Sequence, residues 1–202
     1  MALTFYDPRT GALQEFRPAA PPRVGIDAKP GSPREKNLAA VLGPALAFFG
    51  LEAASGAELR LGGKDPGPGR AWISAAPATG EDFFKPSGAL VSRGFSPDDF
   101  FFLCLKTHYR KPLSCSWEAL AAARSERGDL LASARSLEGV SLEPSPRARA
   151  GYLHRFREAL SKDLDLPEAL VCVWDSLRPG ALSPGSKASF LRETLPALGL
   201  RF

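Results

Sequence analysis

A chain of 202 residues holds one medium domain or two small ones, and 44% hydrophobic residues supply enough apolar side chains for a sizeable core. Its 26 basic against 22 acidic side chains leave a net charge of +4, which suits contact with phosphate but sets up no strong general field. Charge alone therefore leaves a mildly basic protein without a nucleic-acid role as open as an RNA binder. No run of about 18 apolar residues occurs, and the start Met1-Ala2-Leu3-Thr4-Phe5-Tyr6 lacks the basic opening and apolar stretch of a signal peptide. Neither a membrane span nor secretion is expected. Three cysteines, Cys104, Cys115 and Cys172, are odd in number and fall in or beside predicted helices, which suits reduced thiols in the cytoplasm.

In chain order, Leu3 to Tyr6, the turn Asp7 to Gly11, and Leu13 to Phe16 predict a hairpin, followed by a short strand from Arg23 to Ile26. A helix is expected from Pro33 to Phe49, with Glu35 in its first turn and a break at Gly43-Pro44. Two short strands, Glu58 to Leu61 and Arg70 to Ser74, flank the Gly/Pro-rich turn 62–69. A short helix from Ser87 to Ser92 stops at Gly94. Ser96 with Asp99 three residues on, and Pro97 between them, starts a further helix. Its run Phe100-Phe101-Phe102-Leu103-Cys104-Leu105 has no polar break and must be covered on nearly all sides, and the basic stretch from Lys106 to Lys111 is expected to end the helix before Pro112.

Ser116 before Trp117-Glu118 starts the next helix, expected to reach about Leu137 with Gly128 as a local weakness. Residues 138–146 read as a linker. Tyr152, Leu153, Phe156, Ala159 and Leu160 then form one apolar stripe, with Arg149, His154, Arg155 and Arg157 mostly off it. Pro167 opens a helix whose expected buried face is Leu170, Val171, Trp174 and Leu177, and Ser183-Pro184 opens a last one carrying Phe190, Leu191, Leu195 and Leu198.

Three segments resemble cysteinyl-tRNA synthetases, a class I family. Arg93-Gly94-Phe95-Ser96-Pro97 is similar to the family's Arg-Gly-Tyr-Asp-Pro. The stretch His108-Tyr109-Arg110-Lys111-Pro112-Leu113-Ser114-Cys115-Ser116-Trp117-Glu118-Ala119-Leu120 resembles its His-Tyr-Arg-Ser-Pro-Leu-(Asn/Asp)-Phe-Ser-x-Glu-x-Leu. Phe156 to Leu170, with Asp163, Asp165 and Pro167, resembles its Phe-x-x-Ala-Met-Asp-Asp-Asp-Phe-Asn-Thr-Pro-x-Ala-Leu. The first 26 residues show a fainter likeness to the family's opening strands.

After Ile26 the family would supply a zinc-ligand cysteine and the His-Ile-Gly-His signature that binds ATP, and before Arg93 the Lys-Met-Ser-Lys-Ser loop. Here Asp27-Ala28-Lys29-Pro30-Gly31 and Ala78-Thr79-Gly80-Glu81-Asp82-Phe83-Phe84 stand in those places, and neither cysteine nor histidine occurs before Cys104. One right-handed βαβ unit takes about 30 residues, so the roughly 50 positions between these points cannot hold a nucleotide-binding doubly wound domain. A full catalytic domain is not expected there.

Other chemistry reads weakly. Gly62-Gly63-Lys64-Asp65 lacks the Ser or Thr and the helix start of a phosphate loop, so a plain turn is favoured. Cys104, His108 and Cys115 could bring three zinc ligands together, but no fourth is evident and a buried thiol is the simpler account of Cys104. Only His108 and His154 could serve a nucleophilic site, and neither lies in a glycine-rich elbow. Asp163 and Asp165 could be a carboxylate pair, yet the start of the Pro167 helix accounts for their charge.

These residues predict a mainly α protein: a small α+β piece over 1–82, then a helical bundle over 83–202 of the class I anticodon-binding type that the resemblance implies. Neither metal nor cofactor is expected, and catalysis is not. The resemblance implies binding of tRNA or of a synthetase-related partner, with Lys106, Arg110, Lys111, Arg124, Arg127, Arg147, Arg149, Arg155 and Arg157 as the phosphate-contacting residues on one connected face. Other readings are a protein–protein adaptor docking through an exposed Phe-rich helix, a non-catalytic subunit of a split synthetase, or a folded remnant.

Overall fold

The first strands form the expected hairpin. In the computed structural model, which describes residues 2–56, 58–63, 70–80, 89–141 and 146–201, β1 (Leu3–Asp7) pairs antiparallel with β2 (Ala12–Phe16), Leu3 opposite Phe16 and Asp7 opposite Ala12. Gly11, with φ +67°, closes the turn in a conformation glycine adopts without strain. Leu3, Phe5 and Asp7 alternate inward, and the Phe5 ring packs 5.6 Å from that of Phe16. A side-chain hydrogen bond from Arg9 holds the Asp7 carboxyl below the usual carboxylate range.

Residues 23–73 build a small parallel sheet. β3 (Arg23–Ala28), α1 (Pro33–Phe48) and β4 (Glu52–Ser55) make one βαβ unit, and β5 (Leu59–Leu61) and β6 (Ala71–Ile73) extend the sheet on the other side in the order β4-β3-β5-β6. Only three of these strands are legible in the sequence. β4 reads Glu-Ala-Ala-Ser and is exposed throughout, so no hydrophobic alternation marks it. The strand order changes direction between β3 and β5, and α1 is the one helix among the described residues that connects these strands.

α1 begins with a complete capping box. Glu35 N donates to Ser32 Oγ at 3.2 Å, while Glu35 Oε2 accepts from Ser32 N at 3.2 Å and from Gly31 N at 2.7 Å. Its other oxygen accepts from Ser74 Oγ at 3.2 Å, so this buried carboxylate fills the space where the loops after β3 and β6 meet the helix start. The expected break at Gly43-Pro44 does not occur, and the helix runs through Pro44. Proline inside a helix costs about 3 kcal/mol. Leu38, Val41, Leu42, Ala45 and Leu46 are buried on both sides of it, and burying one leucine returns about 1.5–3 kcal/mol, so packing offsets the break.

Gly62 and Gly63 follow β5 with φ of +71° and +70°. A Cβ on Gly62 would stand 2.7 Å from the Lys29 carbonyl oxygen, so backbone packing accounts for that glycine. The remainder of the proposed phosphate loop, Lys64 and Asp65, lies outside the described residues, as do Ser87 and most of the linker after Ser141.

A short parallel pair joins β7 (Ala78–Gly80) to β8 (Leu113–Cys115), and the rest is helical: α2 (Ala89–Ser92), α3 (Pro97–Leu105), α4 (Trp117–Arg135), α5 (Pro146–Ser161), α6 (Leu166–Leu177) and α7 (Pro184–Ala197). The chain is mainly α with a small α+β piece, as the sequence predicts. Asp99 Oδ2 accepts from Ser96 N at 2.8 Å at the start of α3, and Phe100, Phe102, Leu103 and Leu105 are buried. The basic stretch does not end this helix. α3 stops at Lys106, and Thr107 to Lys111 turn away because buried Arg34 claims the carbonyls of Thr107, His108 and Lys111.

Ser116 Oγ caps α4 by accepting from Ala119 N at 3.1 Å, and Ser183 Oγ caps α7 from Ser186 N at 3.3 Å. On α6 the inward face is Leu166, Ala169, Leu170, Val173 and Ser176. Val171 is 46% exposed and Trp174 only half-buried, so the expected face is rotated. One core runs from Phe5 and Val24 through Leu42 and Phe102 to Phe156, Phe190 and Leu198. Among the described residues no helix is long and apolar enough to cross a membrane.

Candidate nucleic-acid interface

Two of the resembling segments, His108 to Leu120 and Phe156 to Leu170, meet the first strand at Asp163. The turn between α5 and α6 puts Asp163 and Leu164 in left-handed backbone, φ +59° and +50°, and leaves Asp163 2% exposed. Its Oδ1 accepts from Tyr6 N at 2.7 Å and from the Tyr109 hydroxyl, and its Oδ2 faces Arg110 Nε at 2.5 Å and His108 Nε2 at 3.7 Å. Asp163 N donates to Thr4 O at 2.8 Å, and the Arg110 guanidinium lies 4.4 Å from the Tyr6 ring centroid. His108, Tyr109 and Arg110 thus bind the α5–α6 turn and the first strand together. Burial, with Asp163 as a second cause, pushes the Tyr109 hydroxyl far above its ordinary range. Burial also lowers the His108 pKa, against the opposing pull of Asp163.

Asp165, in contrast, is the N-cap of α6 and accepts from Glu168 N at 3.2 Å. The two aspartates therefore have separate structural tasks and do not pair. Nor do Cys104 and His108 converge. Cys104 Sγ accepts from Asn37 Nδ2 at 3.4 Å inside the core, where burial raises its pKa to about 11, while His108 stacks on Tyr109.

Arg34 fastens the α+β piece to the bundle. Only 3% exposed, its guanidinium donates to the carbonyls of Ala76 at 2.9 Å, Lys111 at 2.5 Å, Thr107 at 3.2 Å and His108 at 2.9 Å. Burial lowers its pKa from the usual arginine value.

Most of the nine expected phosphate-contacting cations already face carboxylates. Lys106 Nζ lies 2.6 Å from Glu126, and Arg127 makes two hydrogen bonds, 2.9 and 3.2 Å, to Asp99. Arg110 meets Asp163 as described. Arg149 and Arg157 share Glu193 of α7, the latter at 3.7 Å, while Arg155 turns to Glu168 at 3.5 Å and Asp175 at 3.2 Å on α6. Residues two apart on a helix lie on nearly opposite sides, which is why Arg155 and Arg157 reach different neighbours. Lys111, Arg124 and Arg147 are exposed and have no carboxylate partner among the described residues.

Arg124 belongs to a feature that sequence reading passed over. Its guanidinium lies 5.7 Å from the Phe95 ring centroid, Phe95 stacks on Trp117 at 5.9 Å and 24°, and the Arg93 guanidinium lies 4.3 Å above the Trp117 ring. Arg93, Phe95 and Trp117 are visible in the sequence, but nothing local there brings their side chains together.

Two of the open pockets among the described residues hold charged groups most of which already have partners. One of about 320 Å³ beneath the hairpin holds Arg9 against Asp7, Arg17 against Glu15, and Glu58 bonded to the backbone N–H groups of Gly25 and Ala19. A groove of about 650 Å³ between α1, α3, α4 and the turn after α7 has Asp98 and Arg127 as facing charges, 3.6 Å apart.

A His-Tyr-Arg segment and a buried aspartate tie the helical module to the first hairpin of the chain. Over about 55% of its length the chain is similar to cysteine-tRNA ligases. It is 35% identical over 115 residues to cysteine-tRNA ligase 1 of Burkholderia lata, covering 55% of this chain and 23% of that protein. It is 31% identical over 115 residues to the cysteine-tRNA ligase of Novosphingobium aromaticivorans, with the same shares of 55% and 23%. For the cysteine-tRNA ligase of Thermus thermophilus the figures are 33% over 125 residues, 55% of this chain and 26% of that protein. The chain spans about a quarter of the length of the curated relatives it matches. No family model matches the chain.

Proposed function

We propose that this chain is a non-catalytic cysteine-tRNA ligase-like protein that binds tRNA. The observation that carries the reading is the similarity over 55% of the chain to enzymes whose names specify tRNA as their substrate. The His108 to Leu120 and Phe156 to Leu170 motifs fall in the helical part and are tied together by Asp163. Loss of catalysis is supported by the absence of both ATP signatures from the sequence and by Glu35, which occupies the N–H donors at the start of α1. An adaptor docking through the Phe-rich helix loses its carrier, because Phe100 and Phe102 are core residues.

Binding to unfractionated tRNA, followed by anisotropy across salt concentrations, tests this. Paired cations release few counterions, so Arg93, Lys111, Arg124 and Arg147, which have no carboxylate partner among the described residues, set the slope of log affinity against log salt at about 3 in magnitude. Cysteine-dependent ATP–pyrophosphate exchange is expected to be absent. No tRNA binding at low salt refutes the binding role, and measurable exchange refutes the non-catalytic one.

A further inference from the structure

We propose that the stacked run of Arg93, Trp117, Phe95 and Arg124 holds unpaired nucleotides of an RNA, an assignment that rests on the RNA-binding reading above. The run is fixed before any ligand arrives. Trp117 is the first residue of α4, behind the Ser116 cap, and Phe95 is set by its N–H donating to Leu90 O at 3.1 Å and by Gly94 at φ +78°. Arg124 Nη1 donates to Gly94 O at 2.9 Å, which ties one end of the run to the turn after α2.

Both guanidinium groups belong to exposed residues, and neither has a carboxylate partner among the described residues. The carboxylates nearest in sequence, Asp98 to Arg93 and Glu126 to Arg124, face Arg127 and Lys106, and Glu118 beside Trp117 is engaged by the start of its own helix and by Ser116. This separates the run from the paired arginines of α5, whose charge is already met by Glu193, Glu168 and Asp175.

A guanidinium held over a ring keeps two kinds of contact available. Its in-plane N–H groups suit phosphate oxygens, and its plane suits a base, with little further freedom to lose on binding. A free phosphate would use only the first contact and an isolated base only the second. A nucleotide uses both. In an A-form duplex the base faces are stacked away, so duplex RNA can offer only phosphates. The ligand class is therefore single-stranded or looped-out RNA, and a preference for it over duplex separates this site from a plain basic patch.

The test uses the full chain, an oligouridylate of about ten nucleotides, a blunt RNA duplex of equal length, and polyglutamate. Arg93→Lys and Arg124→Lys keep the charge but remove the flat plane, and Lys111→Gln removes a charge outside the run. The wild type is expected to favour the single strand. Each arginine-to-lysine change should weaken single-strand binding about five- to tenfold while leaving duplex affinity and salt slope unchanged. Lys111→Gln should lower the slope for both RNAs by about 0.7. Unchanged melting temperatures check that the surface variants fold.

Equal affinity of the wild type for both RNAs, or single-strand affinity untouched by both lysine variants, overturns the assignment while tRNA binding stands. Polyglutamate binding as tight as oligouridylate overturns it in favour of an acidic protein partner. Absence of binding to either RNA or to tRNA sinks this assignment and the tRNA reading together.

Discussion

Replacing Arg34 by alanine removes the only side chain that bonds Ala76, Thr107, His108 and Lys111 at once. All four acceptors are main-chain carbonyls at 2.5–3.2 Å. A hydrogen bond from a charged donor contributes about 1.5–3 kcal/mol, but four such terms do not add in full. Truncation also relieves the desolvation of a buried cation and opens a path for water to part of the loop. Loss of one buried charged member of a hydrogen-bonded set costs about 3–5 kcal/mol, and that is the expected size here. For a chain of 202 residues each kcal/mol lowers the melting temperature by about 2–4 °C, so Arg34→Ala should fall by about 10 °C. Arg34→Lys offers three donors from a single point and cannot span four carbonyls, so about half the loss should remain. Urea unfolding followed by circular dichroism gives the numbers, and an unchanged slope with denaturant checks that one transition is being compared. A loss under about 1 kcal/mol for the alanine variant would mean that Arg34 is not what holds the α+β piece to the bundle.

Asp163→Ala should cost about 3–5 kcal/mol, since it strands Arg110 and the Tyr109 hydroxyl and places alanine at φ +59°; Asp163→Asn, which tolerates that backbone, should lose less, and equal losses would contradict the account. Phe156→Ala, at a fully buried ring, should cost about 3–5 kcal/mol and Val171→Ser within about 0.5, and a reversal of that order would mean α5 and α6 are packed differently. For His108, burial lowers the folded pKa below the ordinary value of about 6.5 despite Asp163 and Asp165, with Arg110 and Lys111 acting in the same direction as burial. The unfolded chain then binds the proton first, so this contribution is full above about pH 6.5 and is lost as pH falls towards the folded value. His108→Gln should flatten stability between about pH 7 and 5, and an unchanged pH profile would remove His108 as the cause.

What the sequence made legible was local. Ser116 and Ser183 sit next to the helices they start, and Pro33 with Glu35 opens α1, so local signals placed α4, α7 and α1 closely. β4 escaped because Glu52 to Ser55 carry no hydrophobic pattern and become a strand only by pairing with β3 across the length of α1. The end of α3 escaped because Arg34, far upstream, decides it. The same distance governs the cations: Arg149 and Arg157 are visible as charges, but Glu193 that meets them lies on another helix. Residue type shows where positive charge is, and only packing shows how much of it is free.

At the start of α1, two neighbouring residues divide the end of one helix between opposite tasks. Glu35 turns back and accepts from Gly31, Ser32 and Ser74, so an arriving phosphate would find the N–H groups taken and a negative charge in its place. Arg34 turns outward and holds the loop ahead of β8. In an open α/β sheet this corner is ordinarily where a ligand is received. Here Glu35 fills it and Arg34 makes it an anchorage for the chain between α3 and β8.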